Sequence, residues 1–337
     1  DMGIPVYLGQ RAENIEGADL IVHTAAIMAD NPELIAAKAS GVPVLERSEL
    51  LGIVTSWYDN AICVAGTHGK TTTTSMCTHI MMAAEKDPTV MIGGTLPLLH
   101  ACHRVGKGNT IIMESCEYYN SFLSLNPTIA VILNIEADHL DFFKDLEDIR
   151  NSFHKFAKLL PADGCLIING AIDRLQEITG DLDCRVITFN KEAVNSDGSA
   201  ADYYPSDITF DEFGHPSFTL HRHGEVSGNF SLQVPGEHNV CNAIASIALA
   251  DLLKIDREVT ASALHGFTGT DRRFEYKGTI GGVTIVDDYA HHPTELRATL
   301  NTAKEMGYKR LIAVHQPFTY SLSLIHISEP TRHAQIS

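Results

Sequence analysis

The stretch Ala61-Ile62-Cys63-Val64-Ala65-Gly66-Thr67-His68-Gly69-Lys70-Thr71 constrains this chain most, because an apolar run passes into a helix-like segment through two glycines, a lysine and a threonine. Such a junction gathers backbone amides and the positive end of a helix around one point, the arrangement a phosphate group needs. In a loop of this kind the lysine, Lys70, reaches the terminal phosphates and the Thr71 hydroxyl holds a magnesium ion. Two residues separate Gly66 from Gly69, so the loop is a shortened variant of the usual pattern. Thr72–Ala84 continues as a helix, and an ATP site is the expectation; a glycine-rich turn that only packs is the weaker alternative.

The surrounding pattern is α/β. Residues 1–58 give a strand at Leu20–Thr24, a helix over Pro32–Ala39 and a strand at Val42–Leu45, the rhythm of a parallel sheet covered by helices. Further strands are expected at Thr110–Met113 and Ile129–Leu133, and a helix over Leu146–Leu159. From Cys184 to Val234, short alternating runs broken by Asp-Gly, Phe-Gly-His-Pro and His-Gly predict antiparallel hairpins inserted in the α/β body. Asn239–Leu253 returns to helix. Val283–Val286, Thr294–Glu305 and Leu311–Val314 read as a βαβ unit opening a further domain.

Composition narrows the function. A formal charge of −17 leaves no cationic block with which to meet a polyanion, so no nucleic-acid partner is expected. The seven cysteines include no C-x-x-C pair and their number is odd, which argues against a disulfide framework or zinc knuckle and points to a reducing cytoplasm. No apolar run approaches the roughly 20 residues of a bilayer span, so no membrane association is expected. Asp1-Met2-Gly3 leads straight into a strand-like run, and a truncated beginning is expected.

Several acids and histidines fall where strands end. Glu114 closes one expected strand, and Glu136, Asp138 and His139 follow the next, which would bring them to the edge that carries the phosphate loop. Glu114 and Thr71 are oxygen donors suited to magnesium, and His139 would also admit manganese. Read alone, Glu114 is equally a solvated acid and His139 an ordinary hydrogen-bonded histidine. Gly236-Glu237-His238-Asn239 is by itself a good helix start, with Asn239 near the cap. The pair Arg272-Arg273 is by itself a solvated basic pair. His291-His292 suggests zinc, but adjacent histidines rarely share one ion.

Taken together these segments resemble the Mur ligase family. Gly66-Thr67-His68-Gly69-Lys70-Thr71-Thr72 is similar to its nucleotide loop, Glu114-Ser115-Cys116-Glu117 to its E-A-D-E segment, and Asn134 to Asp141 to its N-I-E-x-D-H-x-D block. Gly236 to Ala243 resembles G-x-H-N-x-x-N-A, Gly269 to Phe274 resembles G-x-x-R-R-F, and Asp287 to Glu295 resembles D-D-Y-x-H-H-P-T-E. Cys116 departs from the pattern and leaves both glutamates intact.

The resemblance implies an α/β parallel-sheet architecture with a P-loop central domain, an inserted antiparallel hairpin region and partial Rossmann-like terminal domains. It implies a magnesium ion held by Thr71, Glu114 and His139, and nucleotide contacts from Gly66, Thr67, His68, Gly69, Lys70, Thr71 and Thr72. Adenosine would be faced by His238, Asn239 and Asn242, phosphate met by Arg273, and the reacting groups approached by Asp288, Tyr289 and His291. Lys70, Glu114, His139 and His291 would carry the catalysis.

The implied reaction is ATP-dependent ligation of L-alanine to the carboxylate of UDP-N-acetylmuramate through an acyl phosphate, in a cytoplasmic monomer or weak homodimer. A ligase adding a preformed tripeptide, a P-loop ATPase, and a nucleotide-binding fragment without ligase activity are the alternatives. The expected domains are 1–58 for the UDP-substrate, 59–277 for ATP and 278–321 for a partial C-terminal unit. Gln316-Pro317-Phe318-Thr319-Tyr320-Ser321 still follows the family pattern, whereas residues 322–337, with Leu322 in place of an expected arginine, read as a non-native tail from sequencing-adapter read-through.

Overall fold

A computed structural model describes residues 3–315, and the expectations for Gln316–Ser321 and for residues 322–337 lie outside that range. In chain order the elements are β1 (Ile21–His23), α1 (Pro32–Ala39), β2 (Val44–Glu46), α2 (Arg47–Thr55), β3 (Asn60–Ala65), α3 (Lys70–Ala83), β4 (Thr89–Leu96), β5 (Ala101–Arg104) and β6 (Thr110–Glu114). They continue as β7 (Ile129–Ile132), α4 (Leu146–Ala157), β8 (Cys165–Asn169), α5 (Gln176–Thr179), β9 (Arg185–Phe189), β10 (Tyr203–Phe210), β11 (Pro216–Arg222) and β12 (Glu225–Ser231). Then come α6 (His238–Leu252), α7 (Arg257–His265), β13 (Glu275–Ile280), β14 (Val283–Asp287) and α8 (Pro293–Glu305).

Ten strands form one sheet in the order β12-β11-β10-β9-β8-β7-β3-β6-β4-β5. β3 lies inside it, parallel to β6 on one side and β7 on the other. The middle of β6, residues 111–113, and all of β7 are apolar because both faces are covered. Ile62 and Val64 of β3 belong to the core shared with Met76, Ile80 and Ile244, while Cys63 and Ala65 belong to the opposite core with Phe122, Phe153 and Phe156. The two-residue alternation of a strand thus feeds two cores, one under α3, α6 and α7 and one under α4.

Local signals explain the element boundaries. Asn31 Oδ1 accepts from the amides of Glu33 and Leu34, and Pro32 opens α1. Asp145 Oδ1 accepts from the Asp148 amide at the start of α4, whose Ile149, Phe153 and Phe156 fall at helical spacing on the buried face. The first segment pairs β1 with β2 in parallel and docks through α2. There Asn126 donates to Gly52 O at 2.9 Å and its amide donates to Thr55 Oγ1 at 3.0 Å. A Cβ at Gly52 would sit 1.9 Å from Ser124 O, so this approach requires glycine.

The hairpins expected between Cys184 and Val234 are antiparallel, and they continue the main sheet: β9 runs parallel to β8, β10 meets β9 at Tyr203 and Phe189, and β11 and β12 follow. The βαβ reading of the last segment is corrected. β14 pairs antiparallel with β13, and Leu311–Val314 forms no strand among the described residues. The cause is local: Gly281 and Gly282 adopt φ of +57° and +81°, a two-glycine turn that returns the chain beside itself.

Candidate active site

β3 delivers the phosphate loop at the carboxyl end of the sheet, between β6 and β7. Gly69 has φ of +83°, and a Cβ there would lie 2.7 Å from Asn242 Oδ1 and 3.2 Å from Leu133 Cδ1, so glycine lets α6 and β7 close on the loop. Asn134 clasps the loop at two points, accepting from the His68 amide at 2.7 Å and donating to His68 O at 3.0 Å. The Thr67 amide donates to Asn134 O, and the Glu136 amide donates to Thr67 Oγ1. The His68 amide is therefore engaged within the protein, and the residue borders the cavity.

Lys70 is folded against the loop. Its Nζ donates to Gly66 O at 2.5 Å and to Thr67 O at 3.2 Å, and pairs with Glu117 at 3.0 and 3.2 Å. Glu117 is buried. Burial works against the charged amine, but Glu117 together with Cys116 and Glu114 outweighs it and the Lys70 pKa is raised. Lys70 is a fixed cation at the start of α3.

Beyond the loop lies a cavity of about 330 Å³. Leu133, Phe189, Val234, Pro235 and Ala298 make its apolar part, and His68, Gly69, Thr71, Thr72, His238, Asn239, Asn242, Arg273 and Asp288 its polar part. Asn239 Nδ2 donates to Pro235 O and Asn242 Nδ2 donates to Asn239 Oδ1, which fixes both amides at the head of α6. An apolar slot ending in ordered amides and a phosphate loop has the form that a nucleotide base, ribose and phosphate chain require.

Glu114 sits level with the loop: it pairs with Val64 in the β3–β6 register, and Ser115 N donates to Val64 O. Its Oε1 accepts from the Gly93 amide at 2.7 Å, while a Cβ at Gly93 would fall 2.7 Å from Oε2. At the next residue, Gly94, a Cβ would lie 3.4 Å from Thr71 Cγ2. Glycine at 93 lets the β4 backbone approach the Glu114 carboxylate, and glycine at 94 lets it pass the Thr71 methyl. Glu114 also borders a smaller cavity of about 100 Å³ with Thr24, Arg47, Ser48 and Cys116, where the first segment meets the sheet.

His139 has φ of +50° and stacks on Tyr118 with ring centroids 4.4 Å apart. Tyr118 follows Glu117 in the chain and donates to Asp141 at 2.5 Å, so the acidic segment and the block containing His139 meet through this tyrosine.

The last segment closes the cavity. Arg272 and Phe274 hold positive φ of +62° and +48°, backbone strain kept in place by surrounding bonds. Asp288 Oδ2 accepts from the Phe274 amide and from Thr299 Oγ1, and Oδ1 accepts from the Ala290 amide. Arg273 Nη2 donates to Thr71 Oγ1 at 3.3 Å and Nη1 lies 3.8 Å from Glu295. Both arginines stand over the Tyr289 ring, at 4.8 Å for Arg272 and 5.5 Å for Arg273, and His291 meets the same ring edge-on.

His68 and Glu295 give this closure a pH dependence. Burial lowers the His68 pKa, but Glu136 and Glu295 outweigh it and raise it from 6.5 to about 9. Burial favours the neutral acid at Glu295, but His68, Arg273 and His291 hold its pKa down at about 2. Histidine raised above its unfolded value stabilises fully below pH 6.5 and loses that contribution as pH rises through about 9. The depressed Glu295 stabilises above pH 4.5 and loses its contribution as pH falls toward about 2. Stability to urea should therefore drop on the order of 2 kcal/mol between pH 7 and pH 10, and His68→Gln should remove most of that drop. An unchanged alkaline slope in the variant would refute the assignment.

Of the residues expected from sequence, His68, Gly69, Thr71, Thr72, His238, Asn239, Asn242, Arg273 and Asp288 border one cavity. Gly66, Thr67, Lys70, Glu114, His139, Tyr289 and His291 do not line it; Lys70 is tied to Glu117, Glu114 borders the smaller cavity and His139 stacks on Tyr118. Residues not singled out are Glu117 as partner of Lys70, Asn134 as the clasp of the loop, Phe189 as a wall of the cavity, and Glu295 beside His68, while Glu136, expected at the loop's edge, borders the cavity from the other side of that ring. Glu117 carried a signal, since it is the fourth residue of the acidic segment.

The chain is similar to known proteins along most of its length. Family profiles match residues 1–58 (Mur ligase family, catalytic domain), 64–250 (Mur ligase middle domain) and 272–322 (Mur ligase, glutamate ligase domain). The UDP-N-acetylmuramate–L-alanine ligase of Agathobacter rectalis is 52% identical over 95% of this chain and 68% of its own length. That of Lachnospira eligens is 50% identical over 97% of this chain and 70% of its own length. Among solved structures, the UDP-N-acetylmuramate-alanine ligase of Thermotoga maritima superimposes with a TM-score of 0.76 at 30% identity, covering 90% of this chain and 68% of that one.

Proposed function

The chain belongs to the Mur ligase family, and from that premise we infer that its cavity serves ADP-forming ligation of L-alanine to the carboxylate of UDP-N-acetylmuramate. A carboxylate is a poor electrophile. Its oxygen attacks the γ-phosphorus of ATP, the bond to the β–γ bridging oxygen breaks, and ADP leaves. The amine of L-alanine then attacks the carbonyl carbon, the amide C–N bond forms, phosphate departs and the ammonium proton is lost.

The residues divide this work. Lys70 places a fixed positive charge at the loop, where negative charge accumulates on the transferred group. Arg273, against Thr71, adds a second. Asn239 and Asn242 orient the nucleoside, and Phe189, Val234 and Pro235 exclude water from the base. Thr71 and Glu114 are hard oxygen donors of the kind magnesium takes, with His139 as the third expected donor. Bound there, the ion would neutralise phosphate charge. We take residues 1–58, 59–277 and 278–321 as the UDP-substrate, ATP and C-terminal parts of this machinery, acting as a cytoplasmic monomer or weak homodimer.

The observation that carries the reading is the phosphate loop at β3 with Lys70 fixed by Glu117 and Glu114 level with it. ADP release should require L-alanine and the UDP-sugar together, stop when divalent metal is chelated and resume with magnesium. ATP turnover without an amine would favour the P-loop ATPase instead, and acceptance of a tripeptide in preference to L-alanine would favour the tripeptide ligase.

A further inference from the structure

Both ring nitrogens of His68 face carboxylates from other segments. Nε2 lies 3.4 Å from Glu136 Oε2 and Nδ1 lies 3.3 Å from Glu295 Oε1, with the His68 side chain only 13% exposed. Glu136 follows β7, and Glu295 lies in the first turn of α8, where it also accepts from the amides of His291 and His292. Around the imidazole the same two segments join directly: Thr294 Oγ1 donates to Glu136 Oε2 at 2.8 Å and His292 Nε2 donates to Ala137 O at 3.1 Å. The His68 ring also lies against that of His292, with centroids 4.6 Å apart, so His68 is the middle of the junction.

We propose that His68 is a positioning residue: its ring, held between Glu136 and Glu295, clasps the head of α8 to the phosphate loop and so sets Arg273 and Asp288 against the cavity. Arg273 follows because it pairs with Glu295 on one side and Thr71 on the other. Asp288 follows because Thr299 of α8 donates to it. The clasp makes the last segment sense the conformation of the loop.

A metal ion is the competing use of these residues, since ligand atoms of His68, Glu136 and His292 lie within 4.8 Å of one another. The bonds of His292 argue against it. Its Nδ1 accepts from the Thr294 amide at 3.3 Å and its Nε2 donates to Ala137 O, so neither nitrogen offers a lone pair unless the cap of α8 is broken. His68 meets its two carboxylates as ion pairs at 3.4 and 3.3 Å, and its Nε2 makes no hydrogen bond among the described residues, so charge rather than hydrogen bonding holds the ring.

Hydrogen exchange followed by mass spectrometry on the full-length enzyme tests the clasp. In His68→Gln, peptides spanning 288–305 should exchange about tenfold faster, while β3 and β7 keep their protection. Glu295→Gln retains an acceptor for the α8 cap and should give a similar acceleration. The double variant should exchange no faster than the more affected single one, because both remove the same contact. In turnover, KM for ATP should rise in His68→Gln while KM for L-alanine stays unchanged.

Unaltered exchange of 288–305 in His68→Gln, or effects that multiply in the double variant, would overturn the clasp. So would zinc that slows exchange of this segment in the wild type and not in His68→Gln, which would reveal a metal cluster. The turnover arm rests on the nucleotide reading given above and the exchange arm does not. Failure of ATP to bind would sink that reading alone.

Discussion

Lys70→Ala is expected to cut ADP release in the presence of L-alanine and the UDP-sugar by about a thousandfold, the scale on which one preorganised charge contributes to such a transition state. The same substitution leaves Glu117 buried without its partner, and stripping one member of a buried pair costs about 3–5 kcal/mol. Loss of activity and loss of fold must therefore be separated. Lys70→Met combined with Glu117→Leu removes both charges, should recover most of the stability to urea, and should remain as inactive as the single variant. If Lys70→Ala retains turnover within about fivefold of the wild type, the assigned role is wrong.

The second large effect is on stability. Phe156→Ala should cost about 3–5 kcal/mol, because it empties the core on the α4 face of the sheet. Phe156 is fully buried and its ring stacks on Phe122 at 4.6 Å with an interplanar angle of 6°. Phe122 belongs to the 3-10 turn Tyr118–Ser124, which begins immediately after Glu117. A void beneath that turn should lower the urea midpoint and loosen the residue that fixes Lys70, so activity should decline with stability as temperature rises. A loss below about 1 kcal/mol would mean that the core collapses around the gap and that the turn is held from elsewhere.

Much of this molecule is written locally. The strand, loop and helix around Lys70 could be read because alternation, glycines and a following threonine run all lie within a few residues. Helix α1 announces itself through Asn31 and Pro32, and α4 through Asp145 and its aromatic spacing. The strand β14 reads from sequence as half of a βαβ unit although Gly281-Gly282 signals a tight return, because the apolar run at Leu311–Val314 offers a rival partner.

The pairings that fix the site were not legible for a different reason. Lys70 with Glu117 spans 47 positions, Thr294 with Glu136 spans 158 and Arg273 with Thr71 spans 202. Nothing in a single sequence measures such distances. Motif resemblance brought the right segments together, but it left open which atoms meet, and so Asn134 and Glu295 appear as functional only in three dimensions.

Asn134 carries one more consequence. Its side-chain amide matches donor to acceptor and acceptor to donor with the backbone of His68, much as two bases pair, and so the bend around Gly66 to Gly69 is already drawn before any nucleotide arrives. An incoming triphosphate then has no disordered coil to organise and forfeits little chain entropy on binding. Its capture should be governed by encounter and by expulsion of water, with the slower rearrangements left to the parts of the enzyme that close behind it.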